Sequence, residues 1–295
     1  MHLRVVLLSS LIAALILPSV VQSQGEASPP TQSPTPPMEG APSRDRALRV
    51  CADPNYLPFS NRAGEGFENA IAQIVAHYLD QPVEYTWDSY RRTGGFEEFL
   101  ARTLNAHRCD LIMNLPYGSG EAFTTQPYYV SSYVFVIRRA ARYDLTSMDS
   151  PALRSLRIGF EQDTPPEDGL KLRGLVQSAV AYAIGEHAGQ SPSDMLDAVR
   201  DGKVDVMITW EPAIGAFLPD YPELRALPVP NERALGSPER YSFPMSMAVR
   251  SDDQQLAERI NAVIDAHKQE LAALLERHGV KLYRPVDLSG DSAVR

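Results

Sequence analysis

The stretch Leu48 to Asn69, LRVCADPNYLPFSNRAGEGFEN, decides the fold. It opens on a short apolar run, Leu48 to Ala52, whose Leu48 and Val50 suit a buried strand. Asp53-Pro54-Asn55, a cluster of turn formers, ends the strand. Tyr56, Leu57 and Phe59 follow as apolar groups in a loop, where solvent favours polar ones. Gly64-Glu65-Gly66 then releases the chain into a helix with Phe67, Ile71, Ile74, Val75, Tyr78 and Leu79 along one face. Strand, decorated loop and helix place that loop at the carboxyl end of the strand, where open α/β sheets bind ligands.

Working outward, Val83 to Trp87 is a second strand, and Phe96, Phe99, Leu100, Thr103 and Leu104 recur at helical spacing. Asp110 to Asn114 is a third strand, stopped at Leu115-Pro116-Tyr117-Gly118. Strands alternating with helices mean parallel crossovers. A β-rich segment through Tyr133 to Ile137 ends in a charged patch, Arg138 to Arg142.

The pattern then restarts. Leu156 to Phe160 reads as a strand, Gln162 to Pro166 as a turn-rich loop, and Leu170 to Val176 as a helix. Strands near Ala179 to Ile184, Val204 to Thr209 and Leu224 to Val229 follow, with a helix after Ser191-Pro192 and another from Trp210-Glu211-Pro212. Phe243 to Arg250 is a last strand, and two helices, Asp253 to His267 and Lys268 to Arg277, close the chain.

Two similar α/β lobes follow from the matched starts Arg49-Val50…Asp53 and Arg157-Ile158…Asp163. Each lobe is expected to hold a mainly parallel sheet flanked by helices. Residues 47–138 with 243–285 would form lobe 1 and residues 139–242 lobe 2, with 286–295 as a tail. Two hinge crossings are expected, near Val136–Arg139 and Pro238–Phe243, with the closing helices packed on lobe 1.

Residues 1–23 read as a secretory signal: His2 and Arg4 in the n-region, Val5 to Leu17 apolar, and cleavage after Val21-Gln22-Ser23. The apolar run is short for a membrane span. Residues 24–46, rich in Pro and Ser, read as a disordered tether. The chain carries a net −9, and the signal holds one basic residue, Arg4, so the exported form would carry −10. An acidic mature chain is a poor partner for nucleic acid or anionic lipid, and the mature form is expected to have no membrane segment. Cys51 and Cys109 are the two cysteines. Export favours a disulfide between them, with two buried thiols as the other reading.

Several motifs carry no chemistry. Gly64-Glu65-Gly66 starts like a dinucleotide turn, but Asn69 stands where the third glycine belongs, and the loop is too long. Tyr117-Gly118-Ser119-Gly120 lacks the nucleophile-elbow pattern. The six histidines are scattered singly, so no metal site is legible. Asp53 reads first as a turn residue accepting nearby N–H groups, with a cleft role as the alternative. Asn55, Tyr56 and Phe59 fit equally a self-packed loop or an apolar cleft wall. Trp210 and Glu211 sit where the second lobe should face the first.

Arg49 to Asn55, Leu57 to Asn61, Gly64 to Asn69, Arg108-Cys109-Asp110-Leu111 and Thr124 to Tyr129 together resemble the MxaJ/XoxJ type of protein, associated with methanol dehydrogenases. The resemblance runs from about Leu48 to Pro285. It implies a two-lobed type II periplasmic-binding-protein-like fold. It also implies a periplasmic, non-enzymatic accessory role beside a quinoprotein alcohol dehydrogenase, with that enzyme's cytochrome c as a further partner and no cofactor of its own. Amino-acid-binding relatives of this fold clamp a carboxylate with an Arg, yet Tyr117 to Thr125 contains none. Where they place an Asp, this chain has Trp210-Glu211. The expected cleft set is Asp53, Asn55, Tyr56, Phe59, Asn114, Tyr117, Tyr128, Thr164, Trp210 and Glu211. The competing reading is the solute-binding protein of an ABC importer, holding a small apolar or cationic molecule.

Overall fold

The computed structural model describes residues 47–89, 95–184, 191–234 and 237–284. The segments expected to form a signal (1–23), a tether (24–46) and a tail (286–295) lie outside the described residues. The chain begins with β1 (Leu48–Ala52), a small hairpin β2 (Asn55–Tyr56) and β3 (Ser60–Asn61), and α1 (Phe67–Tyr78). Next come β4 (Val83–Trp87), α2 (Gly95–Arg102), β5 (Leu111–Pro116), β6 (Phe123–Thr124) and β7 (Tyr129–Arg138). The second repeat supplies β8 (Ile158–Glu161), α3 (Pro165–Leu172), β9 (Val180–Tyr182), α4 (Ser193–Arg200), β10 (Val206–Trp210) and α5 (Glu211–Ile214). β11 (Leu224–Pro228), β12 (Glu232–Ala234), β13 (Ser237–Glu239), β14 (Ser242–Val249) and α6 (Gln254–Arg277) complete it.

The main sheet runs β4-β1-β5-β14-β7-β10-β8-β9, with β11 beside β7 and β6 beside β14. β1 is parallel to β4 and β5, and β8 is parallel to β10 and β9. β14 and β7 run antiparallel to their neighbours and join the two parallel sets. The architecture is thus mixed α/β, as the alternating pattern implied.

The two sets are tied down in the same way. Arg49 on β1 makes a bidentate pair with Asp110, just before β5, at 2.9 and 2.6 Å. Arg157, just before β8, grips Asp205, just before β10, at 2.9 and 2.7 Å. Both aspartates also accept from the backbone N–H of their arginine. Hydrogen bonds from Arg157 hold the Asp205 carboxyl well below the usual carboxylate range, against the cost of burial. The repeated Arg-apolar starts therefore mark a repeated charge clamp between neighbouring parallel strands.

The long apolar run of β7 reflects cover on both faces: Val134, Phe135, Val136 and Ile137 are all fully buried. β7 pairs with β14 from Tyr129 to Ser132, then with β10 from Tyr133 to Ile137. The exchange of partners between Ser132 and Tyr133 comes before the expected Val136–Arg139 crossing. A strand can change neighbours without a turn, so the charged patch after Ile137 marks the end of the strand instead. β5 also outruns its expected stop, reaching Pro116, because Met245 of β14 pairs with that residue. α3 starts earlier than its apolar residues suggest, with Pro165 at its first position behind Thr164.

The cysteines are joined, with Cα atoms 5.6 Å apart. They staple β1 to the residue pair that leads into β5, with Phe99, Leu100 and Leu104 packed around the bridge.

α6 contains a break at His267, whose φ of −121° is non-helical, and this divides it where two helices were expected. It packs on α1: the His267 ring stacks on Tyr78, and the Tyr78 hydroxyl donates to Glu270 at 2.9 Å. Beyond α6 the chain reaches the second set of strands and helices. Gly279, at φ +83°, lets its carbonyl approach Gly215 so closely that a Cβ there would lie 2.2 Å away. The Lys281 N–H donates to both oxygens of Glu211, at 3.2 and 3.1 Å, and the Tyr283 N–H donates to Val130 O at 3.1 Å. This terminal strap links α5 to the strand that joins the two halves.

Candidate functional site

The loop after β1 is folded by its own backbone. Phe67 N–H donates to Pro58 O and Glu68 N–H to Phe59 O, both at 2.9 Å, so the open amides of α1 bind loop carbonyls. A Cβ on Gly66 would lie 2.0 Å from Phe59 O, which is why a glycine stands at this junction. The result fixes Tyr56 and Phe59, whose rings stack with centroids 4.7 Å apart, and Phe59 rests in turn on Phe67 at 5.1 Å. Both loop aromatics are buried. Asp53 takes a turn role, its Oδ1 accepting from Asn55 N–H at 2.9 Å.

Opposite them, Trp210 ends β10 and serves as the N-cap residue of α5. Its ring meets Tyr133 at 5.0 Å and Phe243 at 6.1 Å. Thr164 Oγ1 donates to Glu161 O at 2.5 Å, and the buried Glu161 carboxylate accepts from Thr209 Oγ1 at 3.1 Å. Asn114, at the positive φ of +64°, accepts from the Tyr129 hydroxyl. Asparagine tolerates that backbone better than most side chains.

These groups enclose a cavity of about 820 Å³, its open mouth included. Five of the ten expected residues line it: Tyr56, Phe59, Asn114, Thr164 and Trp210. Asp53 lines a second cavity, of about 650 Å³, which shares Asn114 and Pro116 with the first. Asn55 and Tyr117 are exposed outside both linings, and Tyr128 is buried against Tyr129 at 4.9 Å. Glu211 turns away from the cavities to the Lys281 amide. Its enclosure pushes the carboxyl up to about 8.

Four residues outside the expected set matter to the walls. Tyr133 and Phe243 complete the aromatic side with Trp210, and Glu161 stands at the carboxyl end of β8, as Asp53 does after β1. Glu68 enters the second cavity from the first turn of α1. Burial, then the Asp53 charge, push its carboxyl up to about 8, while a hydrogen bond with the Asn114 side chain acts the other way. The strand-end rule that selected Asp53 would also have selected Glu161. Glu68 gave no such signal, because a polar residue in a helix's first turn is ordinarily solvated.

No protein-family profile matches the chain. It is 29% identical to Protein MoxJ of Methylorubrum extorquens AM1 over 285 residues, which cover 91% of this chain and 90% of that one. Among solved structures, it is similar to the periplasmic binding protein XoxJ from Methylobacterium extorquens AM1, with 32% identity and a TM-score of 0.64. That match covers 81% of this chain and all of XoxJ. MxaJ from Methlophaga aminisulfidivorans MPT superposes with a TM-score of 0.70 at 27% identity, over 80% of this chain and all of MxaJ.

Proposed function

Because the chain belongs to the MxaJ/XoxJ family of periplasmic binding proteins, we propose that it is a periplasmic accessory protein of a quinoprotein alcohol dehydrogenase. In this reading it grips that enzyme through the aromatic cleft or its rim and assists assembly or activation, with no catalysis of its own. The composition of the cleft carries the reading. Tyr56 and Phe59 face a wall of Trp210, Tyr133 and Phe243, and neither cavity has an Arg or Lys in its described lining. A free amino acid would find no charged clamp for its carboxylate there. Large aromatic groups, by contrast, are the usual anchors of protein interfaces. Leu57 and Tyr117, 39% and 55% exposed, extend the apolar surface from the residues next to Tyr56 and Pro116. No helix among the described residues is long and apolar enough to cross a membrane.

Co-expression with the quinoprotein dehydrogenase, with and without this chain, tests the proposal. The two proteins are expected to co-purify, and the yield or specific rate of the dehydrogenase to rise when the chain is present. Absence of a complex together with unchanged yield and rate would refute it.

A further inference from the structure

The second cavity lies beneath the β1 loop, and no part of the docking cleft's aromatic wall belongs to it. Its charged lining residues are Asp53, Glu68 and Glu121, and it has no Lys, Arg or His among its described lining. Its other walls are mainly apolar, with Phe96, Phe99, Ile112 and Leu115 among them.

Asp53 sharpens this arrangement. The residue is only 6% exposed, and one oxygen, Oδ1, accepts from Asn55 N–H. The other, Oδ2, accepts no hydrogen bond from any described residue, although Asp53 lines the cavity. A ligand that brings N–H groups and positive charge would give that oxygen a charge-assisted hydrogen bond inside the cavity. Glu121, exposed, continues the negative charge outward.

We propose that this cavity binds a primary ammonium carried on a short apolar stem, the charged head on Asp53 and the stem against Phe96, Phe99, Ile112 and Leu115. Two sources share that chemistry, a free alkylamine and a lysine side chain of the docked enzyme. The site itself does not depend on the docking reading. Groups facing Glu68 are the Asp53 carboxylate, the Asn114 amide and the Tyr85 and Tyr128 hydroxyls, none of them cationic. The Glu68 carboxyl, displaced to about 8, therefore holds a proton at neutral pH. A bound ammonium favours its ionised form, so binding releases a proton.

Isothermal titration calorimetry of the exported chain with n-butylammonium, n-butanol and butyrate, each in two buffers of different ionisation heat, tests the site. n-Butylammonium is expected to bind with proton release at pH 7, and the alcohol and the acid are not. Asp53→Asn keeps an Oδ1 for the Asn55 N–H and should weaken binding at least ~10-fold, the scale of a lost charged hydrogen bond. Glu68→Gln should bind more weakly and without proton release. No binding of n-butylammonium, equal binding of n-butanol, or an Asp53→Asn affinity equal to wild type would each overturn the proposal. With the amine site established, the source is read from the dehydrogenase complex. Competition by n-butylammonium identifies a lysine of the enzyme, and an unaffected complex identifies a free amine. A failed complex with intact amine binding would count against the docking reading alone.

Discussion

Replacing Cys51 and Cys109 together by alanine is expected to cost about 4 kcal/mol of folding stability. The bridge joins residues 58 positions apart, so its main effect is to remove loop entropy from the unfolded chain. Both cysteines are buried in the cluster formed by Phe99, Leu100, Leu104 and Ile112, and alanine keeps only part of that packing. For a domain of this size the loss corresponds to a melting midpoint about 10 °C lower. The comparison is a thermal melt of the double variant against oxidised wild type. A midpoint within about 2 °C of wild type would show that the unfolded ensemble already keeps β1 near β5 without the bond.

The second large effect concerns Glu211. Its folded-state carboxyl sits at about 8, raised by burial, with the Lys281 N–H and charge offsetting only part of the cost. The unfolded chain releases that proton near the ordinary value of 4.5. Because the folded value is the higher one, Glu211's favourable contribution is complete below about pH 4.5. It is lost progressively as pH rises through about 8. Over that window the ionised carboxyl costs the folded state on the order of 4 kcal/mol. Glu211→Gln removes the charge and keeps an oxygen for the Lys281 N–H. The variant is expected to match wild type at pH 4.5 and to melt several degrees higher at pH 8.5. Equal midpoints at both pH values would mean that the strap opens and lets water reach Glu211.

Much of the fold was legible because its signals are local. Val83–Trp87 was bounded to the residue by its alternating apolar groups, and Leu48–Ala52 by the turn formers behind it. The break at His267 falls where the sequence divides the closing segment into two helices, Asp253 to His267 and Lys268 to Arg277. What escaped depended on distant partners. The point where β7 changes from β14 to β10 has no turn signature, since both neighbours accept the same extended strand. The short hairpin of β2 and β3 was invisible for a similar reason, two residues per strand being too few for a period.

The site divided along the same line. Tyr56, Phe59, Asn114, Thr164 and Trp210 line one cavity, where the carboxyl ends of several strands come together. Glu211 follows Trp210 directly, yet the turn into α5 sends it to the opposite side, toward a segment 70 residues further along. Sequence placed the two at one locus and could not show that α5 separates them.

The central claim is that the aromatic walls form the docking surface for the quinoprotein dehydrogenase. Its most direct test is the dissociation constant of that complex measured with wild type and with Trp210→Ala, by surface-based or solution titration. Trp210 is partly exposed, so a melting midpoint close to wild type is expected as a control. Loss of a central aromatic anchor should weaken the complex at least ~30-fold. An affinity unchanged by Trp210→Ala, in a variant that remains folded, would contradict the account.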